Sequence, residues 1–540
     1  MKKLLSIILS LCLLSGCTTK VEGPNKQFID FCNDYFINEM ESDYTTMHQY
    51  LENPKDYGVD VDRVEISLGH VNEDTTKQVE QTLDDLKSFK YNDLDTTQKV
   101  IYDELEKELN WELKMNDEKF MYTTNILSSM GGIHENLITF FSEYVLRNEK
   151  DIQDLLILIE DTPRYMDEVI AYIKEQANQN MLRFDYDTVT SSIQETLASK
   201  DNSSITKELQ KEVDTLSIEN KDSYKKQISD SIQQYVFPAY QSLLDTIVSL
   251  KDKVQPVTGL YNTENGLEYY ELLVEKATGT TTSIEDIQEQ LQDALTDVLY
   301  NYTYTEYETD PISTTFNSAE EILTFLNDNY KSYFPEVKDM NYELTPLDDD
   351  QSTDGIVAYF VIPSLDNTLP YQIRYNQRDY GKDTTDIELY TTLAHEGITG
   401  HMYQAQYNAE NLEYPIQFLF DNSGLAEGYA TYAQIYALNY LDLTTTGYKL
   451  ESEMNFYLTA LLDIEINYNG LTLDELNSQY GMDMSTIYNQ VADNPTTFLS
   501  YYYGYLQILN LKDQKMSDMD FHNNLLKYGN VYFDVLKKHM

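Results

Sequence analysis

Apolar positions recur at three-to-four spacing along most of the chain, the period of a helix with one buried face. Over residues 136–180 the stripe runs through Ile138, Phe141, Tyr144 and Val145, then Ile152, Leu155, Leu156 and Ile159. Thr162-Pro163 interrupts it and predicts a restart, with proline in a first turn where it is tolerated. Residues 190–255 repeat the style, with charges on the outer face, and Ser283 before Glu285 and Asp286 reads as a further helix start. One region breaks the period. Gly355–Pro363 and, after a turn at Pro370, Tyr371–Asn376 are β-type runs that predict a small sheet at the edge of a cleft. After Gly381 the helical period resumes to the end. No low-complexity tract or repeat intervenes, so the expected class is mainly α. The expected architecture is a single multi-helical domain over 27–540 with a small sheet beside its cleft: a helical N-terminal part, about 27–255, and a part carrying the chemistry, about 256–540.

The first residues follow another logic. Lys2 and Lys3 precede an apolar run from Leu4 to Leu14, too short to span a bilayer, as in a secretory signal. It ends in Leu14-Ser15-Gly16-Cys17, which looks like a bacterial lipobox; residues 1–17 then form the signal, Cys17 carries lipid, and 18–26 form a polar tether. That places the domain on the extracellular face of a bacterial membrane. With Cys12 and Cys17 so used, Cys32 stands alone and no disulfide framework is available. The net charge of −54 repels nucleic acid and anionic headgroups, so lipid rather than surface charge must hold the protein at a membrane.

The candidate chemistry lies in Thr385–His401. Thr385 and Glu388 have capping-box spacing, and Leu389, Leu393 and Glu396 follow along one face. His395 and Glu396 resemble the start of a metallopeptidase motif, but the second histidine, His401, is six residues on rather than four. On an ideal helix that is roughly 240° around, the wrong side. The helix must bulge or end between them, and Gly397 and Gly400 permit it. Glu427 is the candidate third ligand, on a helix that Ser423 can cap and whose stripe includes Ala426, Tyr429, Ala430, Ala433, Ala437 and Tyr440. Two histidines and one glutamate, with a fourth position for water, make a catalytic zinc set, and Glu396 is its candidate general base. His134-Glu135 is an internal control, a similar pair with no second histidine near it, and reads as structural. No nucleophile elbow, phosphate loop or cysteine–histidine pair competes.

These residues resemble the bacterial proteins known as domain of unknown function 885, many of them lipoproteins. Their His-Glu-(Ala/Gly)-x-Pro-Gly-His and downstream Glu-Gly-Trp correspond to His395–His401 and Glu427-Gly428-Tyr429. Gly131–His134, Gly266–Tyr270, Leu365-Asp366 and Pro495 to Gly504 extend the likeness over nearly all of the chain beyond the signal. Three positions depart from the pattern: Thr399 for Pro, Tyr429 for Trp, and Gln434 for Glu, the last losing a carboxylate that could support a ligand. The resemblance implies a helical zinc-peptidase fold with one zinc on His395, His401 and Glu427, Glu396 as base, and a peptide substrate. Tyr501 becomes a candidate oxyanion donor, with Tyr502 and Tyr503 equally placed in sequence. Arg374 and Asn376, on one face of a strand by alternation, are candidate substrate-binding residues. Two other readings stand beside this one: a lipoprotein that binds a ligand without catalysis, and a zinc amidase acting on cell-wall material.

Overall fold

The structure is a computed structural model that describes residues 24–540 apart from 306, 308–311, 348–356, 379, 381–382 and 514. The lipobox Cys17, the tether up to residue 23 and the start of the first β-type run lie outside the described residues. Helices dominate, and three short strands form one sheet. No helix among the described residues is long and apolar enough to cross a membrane.

Two large apolar cores divide the chain. The smaller gathers residues 36–59 and 127–250, ending close to the expected boundary near 255. It holds helix α1 (Ile133–Ser142) and helix α2 (Glu149–Asn178). Between them residues 143–148 leave the helix, and Asn148 and Asp151 form a capping box that starts α2. The expected restart at Thr162-Pro163 does not occur. Pro163 sits inside α2, where it gives up one backbone donor, while the Thr162 hydroxyl donates to Leu158 O at 3.4 Å.

The larger core takes residues 260–536, but also helices Thr76–Lys87 and Thr96–Met115 from the N-terminal part. The tie is polar as well as apolar. Glu104, fully buried, accepts from the Tyr532 backbone N–H at 2.9 Å, and Trp111 Nε1 donates to Leu272 O at 2.7 Å. Ser283 caps the helix Ile284–Tyr304 as expected, its hydroxyl accepting from Asp286 N at 3.1 Å.

The sheet has the order β1-β3-β2, with β1 (Tyr342–Pro346) parallel and β2 (Ala358–Val361) antiparallel to the central β3 (Tyr371–Tyr375). β2 and β3 are the two expected strands, and β1 is additional. Tyr371, Ile373 and Tyr375 of β3 are buried while Gln372 and Arg374, between them, are only partly so, the alternation of a sheet with one face on the core. In β2, Tyr359 pairs with Arg374 and Phe360 with Ile373.

Five helices complete the frame of the cleft: α3 (Ile387–Glu396), α4 (His401–Asn411), α5 (Ser423–Ala437), α6 (Thr446–Asn467) and α7 (Thr497–Leu511). Two caps fall one residue from expectation. Asp386 rather than Thr385 caps α3, accepting from Glu388 N at 2.9 Å. Asn422 rather than Ser423 caps α5, accepting from Leu425 N at 3.0 Å. Helices α5 and α7 cross with their backbones in contact. A Cβ added to Gly428 would lie 2.4 Å from the Gly504 carbonyl carbon, and one on Gly504 only 2.2 Å from Gly424 O. These are backbone atoms, so nothing can swing aside. Gly504→Ala is therefore expected to destabilise the protein by about 1–3 kcal/mol, read as a lower urea midpoint at unchanged m-value.

Candidate metal centre

Helix α3 stops at Glu396, so His395 and Glu396 occupy its last turn. Gly397 to Gly400 then turn the chain, and α4 begins with His401 itself. The required break is thus a complete helix end. Both glycines are forced by close approach: a Cβ on Gly400 would sit 1.7 Å from His395 O, and one on Gly397 2.7 Å from Leu393 O. The turn is pinned from outside by Tyr429 of α5, whose phenol donates to Thr399 O at 2.8 Å. Both Tyr429 and Thr399 are fully buried. As a result the two imidazole rings meet, centroids 4.9 Å apart and planes at 82°.

Glu427 completes the set. Its Oε2 lies 3.5 Å from His395 Nε2 and 3.4 Å from His401 Nε2. That oxygen is buried with no hydrogen-bond partner. Ligand atoms at about 2.0–2.1 Å from a tetrahedral zinc are about 3.3–3.4 Å from one another, so the donor types and the two oxygen–nitrogen distances fit such an ion. Gln434, seven residues beyond Glu427 and hence two turns along the same face of α5, places Oε1 2.9 Å from His395 Nδ1. An amide oxygen only accepts, so Nδ1 carries the proton and the Nε2 lone pair faces the centre. The departure from Glu at this position keeps the contact and gives up only its charge.

The charges of the centre are strongly coupled. Burial alone raises the Glu427 carboxyl, but the His401 and His395 imidazoles outweigh it and hold the group well below the usual carboxylate range. Burial likewise depresses His401, and Glu427 outweighs it, lifting the imidazole to about 9. Glu396 lies beside the set, Oε1 3.9 Å from His395 Nε2, and burial raises its carboxyl. Its other oxygen accepts from the Phe360 backbone N–H of β2 at 3.0 Å. That contact has no signature in the sequence, since any residue supplies an amide.

Tyr501, Tyr502 and Tyr503 part company on α7. The Tyr501 ring stacks on His395, centroids 6.0 Å apart and planes within 11°, with its phenol against Glu427. Burial first, and then the Glu427 and Glu396 charges, push it well above the usual phenol range, so it stays protonated and can donate. Tyr502 instead stacks on Phe456 at 4.6 Å, and buried Tyr503 donates to Gln290 at 3.1 Å. The crossing at Gly428 and Gly504 brings α7 close enough for this, Tyr501 being one turn before Gly504.

The two candidate substrate-binding residues are placed differently. Arg374 is ion-paired to Glu143, which follows α1, at 3.0 Å. Asn376 follows β3 and is buried, and its backbone N–H extends the ladder to Val357 O at 2.8 Å. His134 is buried in α1 with its imidazole pushed down to about 4 by burial, outside the three-residue set.

Residues 65–540 match the family described as bacterial protein of unknown function, DUF885. The chain is similar in structure to a candidate lipoprotein from Colwellia psychrerythraea, with 17% identity, a TM-score of 0.80, and 96% of this chain and 99% of that one covered. A candidate lipoprotein of unknown function from Shewanella oneidensis matches with 15% identity, a TM-score of 0.56 and the same coverage of 96% and 99%. At these identities the likeness is one of fold. No curated protein matches the sequence.

Removing the outer support of a metal ligand typically weakens metal binding by about 10–100-fold. Gln434→Ala is expected to lose zinc affinity by about that factor, measured by chelator competition, while Gln434→Glu matches or exceeds the wild type.

Proposed function

The chain belongs to this DUF885 family, and from the site itself we propose that it is a zinc-dependent peptidase, anchored by lipid on Cys17 at the outer face of the cell membrane. The observation that carries the reading is the convergence of His395, His401 and Glu427, whose Oε2 lies 3.5 and 3.4 Å from the two Nε2 atoms, with the largely buried carboxylate of Glu396 beside them. The lipid anchor draws support from the lipobox-like residues 14–17 and from the lipoprotein descriptions of the two fold relatives.

A zinc ion held there would act as a Lewis acid and make a water-derived nucleophile available near neutral pH. The remaining tasks belong to side chains. Glu396, its carboxyl raised by burial, takes the proton of the attacking water and delivers it to the leaving amine. The Phe360 N–H fixes one of its oxygens and leaves the other for that proton. Tyr501, protonated and stacked on His395, donates to the oxygen of the tetrahedral intermediate. A peptide is the substrate class that the sheet favours. Among the described residues β2 pairs with β3 alone, and its Phe360 N–H goes to Glu396 instead of β3, so the outer edge of β2 faces the site. An extended backbone can dock on such an edge by main-chain hydrogen bonds.

The test is zinc content together with peptide hydrolysis, on the domain lacking residues 1–17. The wild type is expected to hold about one zinc and to cleave peptides. Glu396→Gln keeps the metal and loses about 10²–10⁴-fold in kcat, the usual share of a general base. Tyr501→Phe also keeps the metal and loses about 10²–10³-fold in kcat, the scale of one oxyanion donor. If the wild type holds no metal the reading fails, and the non-catalytic, ligand-binding one replaces it.

A further inference from the structure

The proposed base is held by one backbone amide on a four-residue edge strand. An edge strand is paired on one side only, so something else must fix where its peptide planes point. β2 is paired to β3 over Ala358–Val361, and the register puts Tyr359 directly opposite Arg374. Both side chains of that cross-strand pair reach the same carboxylate, Glu143. The Tyr359 hydroxyl donates to Glu143 Oε1 at 3.0 Å. Arg374 donates from Nε at 3.2 Å and from Nη2 at 3.0 Å. The next residue along from Tyr359 is Phe360, so the amide that binds Glu396 belongs to the peptide unit joining the two.

Glu143 is itself fixed. It follows directly on α1, where its N–H donates to Thr139 O at 2.9 Å, and Phe141 beside it is fully buried in the smaller core. The Glu143 and Arg374 side chains are 13% and 12% exposed, so the pair is shielded from water and screened little by salt. A bidentate guanidinium contact and a phenol on one carboxylate define an orientation as well as a distance.

Resting on the peptidase reading, we infer that Glu143 is a positioning residue for Glu396: from the smaller core it clamps Tyr359 and Arg374, and so sets the Phe360 amide that aims the catalytic carboxylate. Arg374 then serves the reaction as the clamp's other jaw rather than as a peptide-binding cation. The clamp is a polar link through which the smaller core acts on chemistry carried by the larger one.

The test compares Glu143→Gln and Tyr359→Phe in the full-length protein. Glu208 and Glu212 also lie close to Arg374, so its charge stays compensated when Glu143 is neutralised, and Tyr359→Phe deletes a single hydroxyl. Misplacing a reacting group by about 1 Å costs up to about 10²-fold in rate. Glu143→Gln is expected to lower kcat by about 10–10²-fold and Tyr359→Phe by about 3–10-fold, both with zinc content unchanged. The decisive readout is a cycle with Glu396→Asp, whose shortened side chain already gives up the Phe360 contact. In that background neither change should lower the residual kcat by more than about twofold. Full and additive losses there would mean that Glu143 acts through general stability and would overturn the inference, as would wild-type kcat in Glu143→Gln. A wild type that binds zinc but cleaves nothing would instead bring down the peptidase reading and the inference with it. Amide exchange over 357–361 gives a readout independent of turnover: Glu143→Gln is expected to raise it while α3 stays protected, and unchanged protection would overturn the clamp on structural grounds.

Discussion

Two imidazoles six residues apart cannot face one point from a continuous α-helix, and the centre of this protein is built around that restriction. The chain answers it by ending one helix at Glu396 and beginning the next at His401. Four residues must then turn in a space with no room for side chains at both ends, where His395 O and Leu393 O would each meet a Cβ. What remains in that turn is buried, and Tyr429 secures it by bonding the Thr399 carbonyl. The helix break is therefore a packed and hydrogen-bonded feature rather than a frayed end.

Helix α5 concentrates the consequences. Glu427 supplies the third donor, Gln434 orients His395 from two turns on, and Tyr429 closes the turn between the histidines. Gly424 and Gly428 on the same helix let α7 approach to backbone contact, which delivers Tyr501. A single helix can do this because it is covered nearly all round; its buried residues include Gly424, Leu425, Gly428, Tyr429, Ala430, Ala433 and Ala437. Its position is fixed by neighbours on several sides, so the site inherits the rigidity of the larger core.

Much of this was legible in the residues because it follows from local geometry. The 240° mismatch required a break, Gly397 and Gly400 marked its place, and the β-type runs foretold β2 and β3. The errors share a cause. Asp386 and Asn422 cap where Thr385 and Ser423 were expected because adjacent residues all had suitable side chains, and the path of the entering chain chose among them. Pro163 stays inside α2 because tertiary packing outweighs one lost backbone bond: Leu158, Ile159 and Met166 around it are buried. Helix Thr96–Met115 joins the far core through Glu104 and Tyr532, more than four hundred positions apart, and Glu143 meets Tyr359 and Arg374 from more than two hundred positions away. Such contacts leave no period or spacing to read. Among the tyrosines 501–503 only the rotation of α7 about its axis separates one role from three candidates.

The two carboxylates of the centre show how environment divides labour between identical groups. Glu427 and Glu396 are both largely buried, and burial pushes both towards the neutral form. Glu427 faces two imidazole nitrogens, so its charge is compensated and it remains an anion. Glu396 is opposed by burial and by the Glu427 charge, and the two imidazoles with one backbone amide are too little to cancel them, so its affinity for a proton stays raised. A ligand should be a settled anion, and a general base should be one that gains by taking a proton. The difference rests on placement: Glu427 contacts the imidazoles that lead from α3 and into α4, and Glu396 is turned aside towards β2. That is why the edge strand, and whatever fixes it, belongs to the proposed site as much as His395, His401 and Glu427 do.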